Sequence, residues 1–130
     1  STRMGRENTA IAGYSLGGRE SLFLCFAHPD VFGYVGAFAP VGGVVDTGNG
    51  ERVYGNRGFL LPEFVKDGEK QPLVTLIVTG DSDPYCKESA INYSDYMTSH
   101  GINHIFYIRP GAHEVSVWNN GLYNFIRRIF

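Results

Sequence analysis

Long apolar runs are missing from this chain. Nothing approaches the roughly 18 consecutive apolar residues of a membrane-crossing helix, and the polar opening Ser1–Asn8 holds no apolar core of a secretion signal. No membrane partner is expected, and an exported parent protein would have lost its signal. Strong charge of either sign is missing too. Eleven Lys and Arg against 13 Asp and Glu leave a formal net charge of -2, with no basic run to follow a phosphate backbone, so nucleic acid is not an expected partner. Cysteine is scarce: Cys25 and Cys86 allow one bridge at most, and their spacing fits neither a zinc site nor a redox pair. Both are expected to be free thiols, with Cys25 a small core residue.

What remains is the composition of a globular domain, 43% hydrophobic and 14% aromatic with 18% charged residues. The 130 residues suit one compact domain spanning 1–130 and are too few for two. No internal repeat is visible.

Elements alternate along the chain. Thr9–Ala12 is a short apolar run ending in Gly13. It leads into Leu16–Ala27, where Leu22, Cys25 and Phe26 recur at helical spacing. Pro29 stops that helix, and Phe32–Ala39 reads as a strand closed by Pro40. The glycine-rich stretch Val41–Gly58 reads as a long irregular loop, with a helix candidate after it at Phe59–Lys66. Leu73–Thr79 is a nearly continuous run rich in β-branched residues, as in a strand buried on both faces. A helix over Glu88–His100 capped by Gly101, a strand over His104–Ile108 and a closing helix over Val115–Phe130 complete the pattern. Such alternation calls for a parallel sheet flanked by helices, with functional loops at the C-terminal ends of its strands.

The chemistry falls at those ends. Gly13-Tyr14-Ser15-Leu16-Gly17 fits G-x-S-x-G, a sharp strand-to-helix turn that lifts a serine hydroxyl above the sheet. The flanking glycines are expected because side chains there would strike neighbouring backbone, and Gly18 lets the helix pack closely. The Leu16 amide, at the helix N-terminus, is placed to stabilise an oxyanion. A serine hydroxyl needs a base, and the base needs an acid to orient it. His28, His100 and His104 have ordinary surface or packing explanations. His113 follows the last strand in a loop and precedes a helix, which makes it the well-placed base. For the acid, Asp81 and Asp83 both follow the buried strand, and local position does not separate them.

Ile11-Ala-Gly-Tyr-Ser-Leu-Gly-Gly18, Gly80-Asp-Ser-Asp83 and Gly111-Ala-His-Glu-Val-Ser-Val-Trp118 resemble the esterase D-like α/β-hydrolases. Among these the chain is most similar to the feruloyl and acetylxylan esterases of carbohydrate esterase family one, over their C-terminal half. The resemblance implies Asp83 as the acid and a Ser15, His113, Asp83 triad without metal or cofactor. It also implies secretion, and hydrolysis of feruloyl or acetyl esters on plant cell-wall polysaccharides, with Tyr14, Tyr85 and Trp118 as pocket candidates. A thioesterase or acyltransferase with the same triad is the alternative among enzymes. From another class, a weak or silent half-domain that binds a partner or glycan remains open.

Family members carry several strands and a second oxyanion loop before the elbow strand, whereas only fourteen residues precede Ser15 here. The sheet is therefore expected to lack the family's N-terminal strands. Self-association, or a companion N-terminal half, is expected to cover the exposed edge of the first strand.

Overall fold

The computed structural model describes residues 3–46, 52–54 and 71–130. Its main sheet has four strands, β1 (Ala10–Tyr14), β2 (Tyr34–Phe38), β5 (Val74–Gly80) and β6 (Ile105–Arg109), in the order β1-β2-β5-β6 with every pair parallel. Three helices, α1 (Leu16–Ala27), α2 (Lys87–Ser99) and α3 (Val115–Ile126), follow β1, β5 and β6. This is the expected α/β-hydrolase-like sheet. Among the described residues β1 has no strand on its outer side.

Each face of the sheet has its own core. On one side Leu22, Cys25 and Phe26 of α1 and Ala90, Tyr93 and Met97 of α2 pack on Val35, Ala37 and Ile77. On the other, Val117 and Phe125 of α3 pack on Phe38, Leu76 and Val78. Alternate residues of β2 and β5 thus serve opposite faces, which explains why the Leu73–Thr79 run is almost continuously apolar, broken only by Thr75 and Thr79. Full burial of residues such as Leu22, Val35 and Ile77 stabilises the fold by about 1.5–3 kcal/mol each.

Three expectations shift. The first strand runs on to Tyr14, because its ladder continues to the Tyr14↔Phe38 pairing. The closing helix ends at Ile126; beyond it the chain turns so that the Phe130 ring meets Tyr34 edge-on at 5.2 Å. The glycine-rich stretch is not wholly irregular, since β3 (Val44–Asp46) pairs antiparallel with β4 (Arg52–Tyr54). Val44, Val45, Val53 and Tyr54 are residues suited to a pleated ladder, a short signal hidden among glycines. The helix expected at Phe59–Lys66 lies outside the described residues. Gly101 does cap α2, with φ 68.

Candidate active site

Parallel register brings the strand ends level. Tyr14 pairs with Phe38, Phe38 with Val78, and Gly80 with Arg109, so the loops leaving β1, β5 and β6 emerge on one rim. Level ends alone do not make a site. With strands about 4.8 Å apart, β1 and β6 are separated by roughly three spacings, and a residue following β6 must fold back to reach one following β1.

The loop after β6 does so by lying across the loop after β5. The amides of Asp81 and Ser82 donate to the carbonyls of Arg109 and Gly111 at 2.8 and 3.0 Å, and the Gly111 amide donates to Asp81 Oδ1 at 3.1 Å. Gly111 has φ 138, a conformation that favours glycine. A Cβ on Gly80 would collide with the Gly111 carbonyl, so both glycines serve this close approach.

Ser15 sits between β1 and α1 with φ 54 and ψ -120, a strained turn for a residue with a side chain. Its amide donates to Phe38 O at 2.8 Å, and its carbonyl accepts from Val41 at 3.2 Å. These bonds clamp the turn against the exit of β2. Ala39 on that exit also has positive φ, 48. Gly13 and Gly18 behave as expected: a Cβ on Gly13 would overlap the Gly17 backbone, and one on Gly18 would crowd Gly13 and Pro40 at 3.2 Å. Gly17 departs from expectation. A Cβ there meets nothing within 4 Å among the described residues, because Gly17 is on the exposed side of the first turn.

Ser15, His113 and Asp83 form a continuous hydrogen-bonded chain. His113 Nε2 lies 2.9 Å from Ser15 Oγ, and His113 Nδ1 lies 2.8 Å from Asp83 Oδ2. A carboxylate only accepts, so Nδ1 donates to it and Nε2 is left to accept from the hydroxyl. The Asp83 carboxylate is fully buried while the imidazole is 19% exposed. Its other oxygen, Oδ1, accepts from the amides of Tyr85 and Cys86, both at 2.9 Å.

Asp81 has another place. Its Oδ1 accepts from Ser82 Oγ at 2.7 Å and from Gly111 N. These bonds, the Ser82 hydroxyl first, hold its carboxyl below the usual carboxylate range. It fastens the two loops together instead of facing the imidazole. The remaining histidines are accounted for by packing or exposure. His104 bonds Ser94 Oγ at 2.8 Å, His100 stacks on Tyr96, and His28 is exposed beyond the end of α1.

The three aromatic candidates gather around the histidine. Trp118 and Tyr85 meet the imidazole edge-on, with centroids 5.3 and 5.7 Å away, and Tyr14 stacks on Trp118 at 4.2 Å and 18°. Tyr14 and Tyr85 are 55% and 73% exposed, as is Leu16 at 53%, so this cluster presents an apolar rim to solvent. As the first residue of α1, Leu16 has an amide with no acceptor inside the helix.

One neighbour of the site was not singled out from the sequence. Cys86, buried at the start of α2, places its thiol beside Ser15. Burial, and then the Asp83 charge, push that thiol up to about 12, against the opposing effect of a hydrogen bond with the Ser15 side chain. Its position three residues after Asp83 was the available signal. Both cysteines are free and buried.

A family model described as "Putative esterase" matches residues 1–129. The chain belongs to this esterase family. Among solved structures it is similar to a CE1 ferulic acid esterase from the anaerobic fungus Anaeromyces mucronatus. Without substrate, that structure gives 36% identity and a TM-score of 0.80, over 98% of this chain and 46% of the other. In complex with ferulic acid, the values are 34%, 0.82, 98% and 47%. A fluorophosphonate-binding serine hydrolase from Staphylococcus aureus, FphF, shares the fold at 21% identity and TM-score 0.75, over 98% of this chain and 55% of that one. The esterase chain thus spans about half the length of each of these solved structures.

Proposed function

We propose that this chain supplies the catalytic centre of a serine ester hydrolase that acts through an acyl-enzyme, with feruloyl or acetyl esters of plant cell-wall polysaccharides as substrates. The observation that carries the reading is the relay from Ser15 Oγ through His113 to buried Asp83, at 2.9 and 2.8 Å, on the rim where strand ends converge.

Ser15 Oγ attacks the ester carbonyl while His113 Nε2 takes its proton. Asp83, its carboxylate held by two backbone amides, orients the ring and stabilises the imidazolium that forms. The Leu16 amide donates to the oxyanion. The proton passes from Nε2 to the departing alkoxide, leaving the acyl group on Ser15. Water, deprotonated in turn by His113, then releases the acid. Trp118 and Tyr85 meet the imidazole edge-on and limit its tilt, and no step calls for a metal or cofactor.

The rim of Tyr14, Trp118 and Tyr85 suits a planar aromatic acyl group. Likeness to a structure described as a ferulic acid esterase in complex with ferulic acid supports the same substrate class. The test is turnover of methyl ferulate against p-nitrophenyl acetate, with fluorophosphonate labelling followed by mass measurement. Expected are a covalent adduct on Ser15 and a preference for the ferulate that falls when Trp118 is replaced by Leu. Folded protein that takes up no label would favour a silent binding domain, and release of a thiol from acyl thioesters ahead of either ester would favour the thioesterase reading.

A further inference from the structure

The relay shares its buried end with a thiol. Asp83, Cys86 and His113 each offer a donor atom, and these atoms all lie within 4.8 Å of one another. Their positions along the chain suggest no metal motif. It is the fold-back of the loop after β6 that sets the imidazole against Asp83, while Cys86 enters from the start of α2. Zinc bonds of about 2.0 Å to nitrogen and oxygen and about 2.3 Å to sulfur set neighbouring ligand atoms roughly 3 to 4 Å apart. The His113 Nδ1 to Asp83 Oδ2 distance of 2.8 Å needs to open only slightly to admit an ion.

We infer that this cluster is an inhibitory binding site for a thiophilic divalent cation, above all zinc, held by Asp83, the Cys86 thiolate and His113 Nδ1. Its regulatory meaning rests on the hydrolytic reading of the same site; the binding itself does not.

The donor set argues for the ion class. One carboxylate, one thiolate and one imidazole suit zinc, cobalt or cadmium, whereas magnesium and calcium call for six or more oxygens. Two anionic ligands and a dication sum to zero charge, which suits a place where Asp83 and Cys86 are buried. The partly exposed edge of His113 is the way in.

The Cys86 S–H bond breaks, its proton leaves to solvent and a metal–sulfur bond forms. Metal bonding to Nδ1 takes the lone pair that previously held a proton, and that proton passes through solvent to Nε2. The ring stays neutral, and one proton is released overall. Nε2 now carries hydrogen and donates to Ser15 Oγ, 2.9 Å away, so it can no longer accept the serine proton. The acid is occupied as well, and the relay is shut until the ion leaves.

Cys25 is the internal control. Its sulfur sits 3.8 Å from Phe32 O in the core under α1 and α2, and it is not among the clustered donors.

The experiment titrates the whole chain and its Cys86→Ala, Cys86→Val and Cys25→Ala variants with cobalt chloride, followed by near-ultraviolet absorption. Zinc chloride is titrated separately during p-nitrophenyl acetate hydrolysis, each variant read against its own metal-free rate. Expected are one sulfur-to-cobalt charge-transfer band per chain that survives Cys25→Ala and is lost in both Cys86 variants. Zinc should inhibit hydrolysis reversibly, with release by EDTA, and half-inhibition of the Cys86 variants should need at least about ten-fold more zinc. Cobalt binding without the band, or equal zinc sensitivity of native and Cys86→Val protein, overturns the inference. A band in protein that hydrolyses no ester upholds the cation site and sinks the esterase reading. Hydrolysis in protein that gives no band does the reverse.

Discussion

Asp81 accepts a hydrogen bond from the Gly111 amide at 3.1 Å, while Asp83, two residues on, accepts one from the His113 ring at 2.8 Å. Two aspartates that look equivalent in local position thus do different work, one joining the loops and the other facing the His113 imidazole. Asp83→Asn is expected to lower kcat by on the order of 10⁴, the scale set by losing the orienting carboxylate of a serine triad. Asp81→Asn keeps an acceptor oxygen toward Gly111 and should cost only a few-fold, whereas Asp81→Ala, which frees the loops, should cost about ten-fold. Steady-state kinetics on p-nitrophenyl acetate checks all three, and equal losses for the two Asn variants would undo the assignment.

Ser15→Ala should abolish fluorophosphonate labelling and reduce hydrolysis by at least about 10³-fold, with His113→Ala close behind. Because triad members act as a unit, the double variant should lose little beyond either single one. Additive losses in that cycle would show that the two side chains do not share a step.

The elbow glycines differ in what surrounds them. Gly13→Ala should prevent folding or activity, since a Cβ there overlaps the Gly17 backbone. Gly17→Ala meets open space in the first turn of α1 and gains helix propensity, so thermal melts should show it unchanged or up to about 1 kcal/mol more stable. A strongly destabilised Gly17→Ala would mean that the site needs open space beside that turn.

Burial raises the Cys25 thiol from 9.0 to about 12, with the Arg6 charge opposing, and buried Tyr93 is raised as well. A folded-state value above the unfolded one means that the protonated group stabilises the fold fully below about pH 9, and that this stability is lost as the pH rises toward 12. Melting temperature should therefore fall between about pH 8 and pH 11, and less steeply in Cys25→Ala. A flat profile over that range would contradict the burial of these groups.

Leu22, fully buried where α1 packs on the sheet, tests the core away from the chemistry. Leu22→Ala should cost about 2–5 kcal/mol in chemical denaturation. A loss below about 1 kcal/mol would mean that α1 is not held as described.

Much of this protein is written locally. The turn around Ser15 needs glycine at 13, the breaks at Pro29 and Pro40 act on their own residues, and Leu73–Thr79 is rich in apolar and β-branched residues because a central parallel strand is buried on both sides. Such features depend on neighbours a few residues away, so they can be read along the chain. The pairing of Val44–Asp46 with Arg52–Tyr54 was harder to see, because glycines around it carry the stronger turn signal.

Residues brought together from distant positions belong to the tertiary structure alone. Local position does not separate Asp81 from Asp83, and along the chain only the family resemblance points to Asp83; the return of the Gly111 loop across the end of β5 turns one toward that loop and the other toward the imidazole. The same fold-back gathers Tyr14, Tyr85 and Trp118 around His113 and sets that ring beside the buried donors Asp83 and Cys86, and only packing shows that Gly17 has room for a side chain while Gly13 does not. Hydrogen-bond direction and close approach are properties of space, and a linear pattern specifies them only after strand register and loop geometry have placed the atoms.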